Sequence, residues 1–354
     1  MGLPQIFLET HNIRNRTFGF GVFTYELVKE LAKQNKNFGL TLNLPNASYL
    51  DLFEGQHLKF HKYYSFQRHA FTRIRKKFDL WHSLNQNIRV EPYHTMPYLL
   101  TIHDIIPAVE GNKKRSKQFR EKINRSHAIT YISEFVKEQT HQYFDIPANI
   151  TEKVIYNGNS MANVKELGDF TPEIVPEKPF LLAIGNFQTR KNYTALIEMM
   201  RLTTEYTLIL AGNNENSYGQ QIKDLIQNYH LEKRVLVTGK ISEQSKQYYL
   251  KNARALLLPS IQEGFGLPVV EAMHFGKPVF LSRLTSLPEV GGTDAFYWDN
   301  FDPEEMKNTV DEGLACFYKN EDVNARKMKD RAALFSWKNA ARDYLEIYES
   351  VVKK

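Results

Sequence analysis

Residues 253–292 read ARALLLPSIQEGFGLPVVEAMHFGKPVFLSRLTSLPEVGG, and the rest of the chain reads most simply as support for them. Ala255–Leu258 is a short apolar run closed by Pro259, which suits a buried parallel strand. Gln262, Glu263, Gly264, Phe265 and Gly266 form a glycine-punctuated loop. Pro268 then fits the first helical position, where its missing N–H costs nothing. The short helix is expected to carry Glu271 in its first turn and to stop at Gly276, a residue suited to the C′ position. Val279–Leu281 is the next strand. Strand, loop, helix and strand make one β–α–β unit, and its loop falls where open α/β sheets bind ligands, at the carboxyl ends of the strands.

The loop has a definite chemistry. Gly264 and Gly266 let the backbone come close to a ligand, and the amides of Phe265, Gly266 and Leu267 open a helix. A helix N-terminus attracts phosphate through its N–H groups. Glu263 precedes the turn and Glu271 lies within the helix, so a carboxylate stands on each side of that anion site. Carboxylates accept hydrogen bonds from hydroxyls, which makes phosphate flanked by two polyols the simplest ligand. A sugar nucleotide has that order: hexose, diphosphate, ribose. The competing reading is an ordinary βα turn with surface glutamates.

Glu263 and Glu271 resemble the E-x7-E motif of retaining glycosyltransferases with the GT-B fold. The wording EGFGLPVVEAM followed by SLPEVGG is similar to glycosyltransferase family 4, in particular to bacterial O-antigen and capsule mannosyltransferase-like members. The resemblance implies an α/β protein of GT-B type, with two Rossmann-like parallel-sheet domains facing across a cleft. Its expected division is 1–165 for an acceptor-binding domain, 166–335 for a nucleotide-sugar domain and 336–354 for a terminal helix packing back on the first.

Composition is compatible with this. A chain of 354 residues suits two domains. No apolar run approaches the length of a membrane span. MGLPQIFLET has no basic segment ahead of its apolar run and Ile6 argues against myristoylation, so neither signal peptide nor lipid anchor is expected. Cys316 is the only cysteine, which favours a reducing, cytoplasmic setting. The net charge of +6 is unevenly spread: 23 basic against 15 acidic residues through Gly168, and 23 against 25 beyond it. The basic half could meet nucleic acid, anionic lipid or an acidic acceptor. Phe71, Ile74 and Phe78 share a helical spacing among Arg73, Arg75, Lys76 and Lys77, and a second basic run extends from Lys113 to Arg125. Two solvated surface helices are one reading; docking of basic amphipathic helices on the inner face of an anionic membrane is the other.

Gly19, Phe20 and Gly21 open an amphipathic pattern (Val22, Tyr25, Leu27, Val28, Leu31). The resemblance places Gly19, Gly21 and Asp104 on the acceptor side. It also makes His103, at the end of the strand Tyr98–Ile102 and in an HD-x-x-P-like segment running to Pro107, a contact of the transferring sugar. His82 is expected to be a supporting residue. In the second half, Gly185, Asn186, Arg190 and Lys191 lie in a strand–helix loop, and a basic pair there can neutralise a diphosphate. Arg190 and Lys191 match the RKN of the resembling enzymes; Asn186 stands where many of them carry an arginine. Gly239, beyond another strand, is expected on the rim that holds the base.

The mechanism expected from the resemblance is transfer of a hexose from a nucleoside diphosphate sugar (GDP- or UDP-linked) to a saccharide or lipid-linked acceptor, with retention. Glu263 would take the hexose hydroxyls, Glu271 the ribose, and Arg190 and Lys191 the leaving diphosphate. There is no Asp-x-Asp, no zinc spacing, no G-x-S-x-G and no internal repeat. No metal or other cofactor is therefore expected, and activity should survive EDTA. The alternatives are another GT-B enzyme, a phosphorylase or a sugar-nucleotide epimerase, or a basic nucleic-acid-binding protein, though no nucleic-acid motif accompanies the charge.

Overall fold

The computed structural model describes residues 2–15, 19–105 and 113–353, and the chain divides into two compact units. Unit 1 comprises Met1–Gly158 with Ser336–Lys354, and unit 2 comprises Asn159–Phe335. Among the described residues unit 1 carries seven strands, all pairing in parallel: β1 (Gln5–Leu8), β2 (Gly39–Leu44), β3 (Leu58–Lys62), β4 (Leu80–Ser83), β5 (Tyr98–Ile102), β6 (Ala128–Tyr131) and β7 (Thr151–Val154). Their order is β3-β2-β1-β4-β5-β6-β7, a doubly wound sheet whose order reverses between β1 and β4. Central strands such as YLLTI and LWHS are buried throughout, as sheets covered on both faces require. Helices α1 (Gly19–Gln34), α2 (Lys113–Arg125) and α3 (Glu134–Tyr143) accompany them. In α1 the buried stripe is Phe23, Thr24, Leu27, Val28 and Leu31; Val22 and Tyr25, expected on that face, lie half-buried.

Unit 2 repeats the plan. Its six parallel strands are β8 (Phe180–Ile184), β9 (Thr207–Ala211), β10 (Val235–Gly239), β11 (Ala255–Leu258), β12 (Val279–Ser282) and β13 (Phe296–Trp298), in the order β10-β9-β8-β11-β12-β13. The helices between and after them are α4 (Tyr193–Met200), α5 (Ser217–Asn228), α6 (Glu243–Asn252), α7 (Leu267–His274), α8 (Leu287–Gly291), α9 (Pro303–Lys319) and α10 (Glu321–Ala333). Here the order reverses between β8 and β11. The loops leaving those two strands are the ones that carry the candidate residues.

The last helix, α11 (Trp337–Val352), comes after unit 2 in sequence but is part of unit 1. Polar contacts fasten it there. His82 Nδ1 meets the Tyr348 hydroxyl at 2.7 Å and His82 Nε2 meets Thr101 Oγ1 at 2.9 Å. Tyr344 Oη joins Thr101 and Thr130 at 3.1 and 3.2 Å. The chain passes Trp337 so closely at Gly158 that a Cβ would lie 2.1 Å from the Trp337 nitrogen.

One expected helix is absent. Residues 71–78 form a single 3-10 turn (Ala70–Thr72) and then an extended run. There the Ile74 amide donates to the Glu91 carbonyl and the Tyr93 amide to the Ile74 carbonyl. Ile74 and Phe78 are buried, while Phe71 is 79% exposed. The backbone groups of Ile74 find their partners seventeen or more residues away, so the local spacing that resembled a helix face does not decide its conformation. Of the two basic runs only Lys113–Arg125 is helical. Ile106 and Pro107 of the HD-x-x-P-like segment lie outside the described residues.

Candidate active site

The loop between β11 and α7 turns on Gly266, whose φ of +97° makes it a left-handed N-cap that favours glycine. Helix α7 starts at Leu267, with Pro268 in its first turn and Gly276 just past its end at φ +69°. Glu271 is the fifth residue of this helix, not a member of its first turn as expected. Glu263 is buried, and the segment after β12 holds its backbone: its amide donates to Thr285 Oγ1 at 3.2 Å, and Ser286 Oγ donates to its carbonyl at 3.0 Å. Thr285 adopts φ +57°, a costly conformation for a β-branched residue. The SLPEV segment thus has a structural reason to accompany EGFGLP: its entrance shapes the Glu263 turn.

The β8–α4 loop supplies two cations to the same carboxylate. Lys191 Nζ lies 2.5 Å from Glu263 Oε1, and Arg190 Nη1 lies 3.2 Å from Oε2 and 2.8 Å from the Gln262 carbonyl. The Ile261 amide donates to the Arg190 carbonyl, tying the two loops along their backbones. Lys191 is 6% exposed and Glu263 8%. Burial alone would raise the Glu263 pKa, but the charges of Lys191 and Arg190 outweigh it and hold the carboxylate below its usual range. Burial draws the Lys191 ammonium down, with Glu263 opposing. Two cations against one carboxylate leave a net positive charge at the reversal of the strand order, where such folds place anionic ligands.

Gly185 makes room for this group. A Cβ there would lie 2.9 Å from Lys191 Cε and 3.1 Å from Nζ, while the Tyr193 hydroxyl donates to the Gly185 carbonyl at 3.0 Å. Asn186 is turned to the neighbouring loop, its side-chain carbonyl accepting from the Asn213 amide at 3.3 Å. Gly239 has φ +70° and no contact closer than Asn214 Oδ1 at 4.0 Å from its Cβ position, so conformation rather than crowding asks for glycine. Gly264 is half-buried and Phe265 buried, its ring edge-on to Phe335.

Glu271 stands apart from that cluster, with its own cation. Lys246 of α6 places Nζ 2.8 Å from Glu271 Oε1, both side chains being nearly closed to water. Thr285, Ser286, Tyr193 and Lys246 were not singled out from the sequence as site residues; only Ser286 falls within a motif that was.

In unit 1, His103 caps β5. Its Nε2 donates to the Leu84 carbonyl at 2.8 Å, its ring meets Phe20 and Phe23 edge-on, and its amide donates to Gln86 Oε1. Burial pushes its pKa down to about 4. The imidazole is neutral near pH 7, with Nε2–H committed and Nδ1 left as an acceptor. Gly19 begins α1 with nothing near its Cβ position, Gly21 is buried on that helix, and Asp104 is half-buried after β5.

Residues 165–330 match the family described as Glycosyl transferases group 1. Serotype-specific mannosyltransferase WbdA of Escherichia coli is 27% identical over 271 residues, 69% of this chain and 32% of that protein. The chain thus spans about a third of WbdA's length. O-antigen chain mannosyltransferase B of Escherichia coli is 25% identical over 383 aligned residues, 98% of this chain and 99% of that protein. A structure of Anabaena Alr3699/HepE in complex with UDP and glucose superposes with a TM-score of 0.73 at 17% identity, covering 98% of this chain and all of the other. Sucrose-phosphate synthase from Thermosynechococcus elongatus gives 0.74 at 17% identity, covering 98% and 99%. Residues 165–330, which hold the Lys191–Glu263 pair and Glu271, are thus similar to group 1 glycosyl transferases, in a chain whose two parallel-sheet units have the GT-B fold.

Proposed function

We propose that this protein is a retaining glycosyltransferase that moves a hexose from a nucleoside diphosphate sugar to a saccharide or lipid-linked acceptor in cell-surface polysaccharide synthesis, without a metal ion. The observation that carries the reading is the Lys191–Glu263–Arg190 group, positive overall and set at the strand-order reversal of unit 2. Relatives described as O-antigen mannosyltransferases, and a like-folded structure holding UDP and glucose, support the choice of substrate class.

In this mechanism the bond from the anomeric carbon to the diphosphate oxygen breaks while the acceptor oxygen bonds to that carbon on the same face. The acceptor proton passes to the leaving phosphate oxygen. Lys191 and Arg190 stabilise the charge that grows on the diphosphate, and as fixed charges they need no reorganisation when it does. Glu263 accepts from hexose hydroxyls and Glu271 from the ribose. His103 offers Nδ1 as an acceptor to a sugar hydroxyl. The acceptor side of the reaction is assigned to unit 1, with Gly19, Gly21 and Asp104 near it, and unit 1 also supplies the basic face proposed to rest on an anionic membrane.

Thermal melts against a panel of UDP- and GDP-sugars test the reading, because a ligand that binds only the folded state raises Tm by mass action. At least one nucleotide sugar should raise Tm, and it should then serve as donor in EDTA with the anomeric configuration kept. No shift with any of them, or an inverted product, overturns it.

A further inference from the structure

Lys246 is a half-buried lysine to which the proposed transfer assigns no part. Helix α6 holds it firmly: Ser242 caps the helix by accepting from the Ser245 amide, Gln247 Nε2 donates to the Lys165 carbonyl, and the Tyr249 hydroxyl donates to the Ile174 carbonyl. With those neighbours anchored to the stretch entering unit 2, Lys246 is presented to α7. Its side chain is 12% exposed and that of Glu271 3%. Its other carboxylate, Glu243, is 3.4 Å away and 66% exposed, so water screens that pair more than the one with Glu271. Burial works against the Lys246 charge, but Glu271 and Glu243 outweigh it and raise the pKa above the usual lysine value, so the ammonium stays charged through neutral pH.

An ammonium has three N–H donors. Two are directed at Glu271 and Glu243, and the third has no partner among the described residues. A sugar hydroxyl both donates and accepts, so a desolvated hydroxyl bound by a carboxylate alone keeps lone pairs unmatched, a cost that water no longer relieves. A carboxylate joined to an ammonium serves both sides of the hydroxyl.

We infer that Lys246 and Glu271 act as one unit that binds the vicinal hydroxyls of the donor's ribose, Glu271 accepting from them and Lys246 donating to them. The inference rests on the proposed nucleotide-sugar donor and adds to its site a residue from a different helix. Lys246 has two effects: it fixes the Glu271 carboxylate in one orientation, and it makes the pocket distinguish a ribonucleotide from its 2′-deoxy counterpart.

The test is calorimetry of the wild type, Lys246→Met and Lys246→Arg with UDP, GDP and the 2′-deoxy form of each. The wild type should bind the better ribonucleotide at least about tenfold more tightly than its deoxy form, the loss expected for an unmatched buried polar group. Lys246→Met should weaken the ribonucleotide by a similar factor and the deoxy form by no more than about twofold, whereas Lys246→Arg should keep most of the preference, since both replacements are judged by the donors they retain. A wild type indifferent to the 2′-hydroxyl overturns the inference, even if Lys246→Met does not fold. So does a Lys246→Met protein that binds as the wild type does, or that loses the same factor for both forms, as a merely structural lysine would. If the wild type binds none of the four nucleotides, the proposed donor itself fails; if it binds them and only the Lys246 effects are missing, the role of Lys246 alone falls.

Discussion

A single glycine shows how much of the site is decided by which atoms are absent. At Gly185 any Cβ would press on the end of the Lys191 side chain rather than on backbone. Moving the ammonium off Glu263 disturbs a buried charge pair, so Gly185→Ala should cost about 1–3 kcal/mol of stability. Turnover should fall about tenfold to a hundredfold, as expected when a charge is misplaced by a fraction of its contact distance. Lys191→Ala should be more severe. It removes the charge from the leaving group and leaves buried Glu263 with only Arg190, so kcat should drop about a hundredfold to a thousandfold, and steady-state kinetics on both variants would order them. These residues could be singled out in the sequence because Glu263 and Glu271, or Arg190 and Lys191, stand close together in one loop–helix segment each. Lys246 was not. It precedes its partner by twenty-five residues and sits on another helix, where a lysine among glutamates and glutamines reads as solvated surface.

Among the elements, the terminal helix was legible as an amphipathic pattern, but its destination was not, because the side chains that receive it come from β4, β5 and β6. Tyr348→Phe leaves His82 Nδ1 buried without its partner and should cost about 1–3 kcal/mol; Tyr344→Phe should cost less, since Thr101 and Thr130 still bond each other at 2.8 Å. Denaturant titration of the two variants checks that order. The same network gives a pH dependence. Burial, aided by the charge of His103, pushes the His82 pKa down to about 3, and burial pushes His103 to about 4, against an ordinary value of 6.5. Both are neutral in the folded chain between those values and 6.5, while the unfolded chain takes up their protons. Their contribution is therefore fully present above pH 6.5 and is lost as pH falls towards 4 and 3, each histidine adding a slope of up to about 1.4 kcal/mol per pH unit. His82→Gln should flatten the dependence between pH 6 and 4; an unchanged slope would remove His82 from the account. The expected helix over 71–78 failed for a related reason. Its apolar spacing was real, but Ile74 spends its hydrogen bonds on residues 91–93, a pairing that no local window contains.

For the molecule as a whole, the charge asymmetry read from composition takes a definite form in unit 1. From residue 55 to residue 78 there is no carboxylate, while Lys59, Lys62, Arg68, Arg73, Arg75, Lys76 and Lys77 all fall in that stretch. Phe66 is 52% exposed, Phe71 79% and Tyr93 52%, with the Arg75 guanidinium 5.2 Å from the Tyr93 ring and Lys62 at 5.2 Å from Tyr64. Of the nearby carboxylates, Glu91 is buried and taken by Lys122 and Arg125 of α2, and exposed Asp79 accepts from the Gln5 amide. The two basic runs meet through this segment, and the charge of Arg73 reaches Arg125. Exposed rings set among cations suit a bilayer interface, where the rings enter the headgroup layer and the cations meet anionic lipid at about 1 kcal/mol each near the surface. No helix among the described residues is long and apolar enough to cross a membrane. Sedimentation with vesicles of phosphatidylcholine alone and with about one-third phosphatidylglycerol, at low and moderate salt, separates the two contributions through their screening. The protein should bind the anionic vesicles and leave the neutral ones. Lys76→Glu with Lys77→Glu should abolish binding at moderate salt, and Phe66→Ser with Phe71→Ser should weaken it even at low salt. Because all four side chains lie on a surface stretch, neither pair should lower Tm by more than about a degree or two. Equal binding to both vesicle types, or binding that neither double variant reduces, would mean that this face meets something other than anionic lipid.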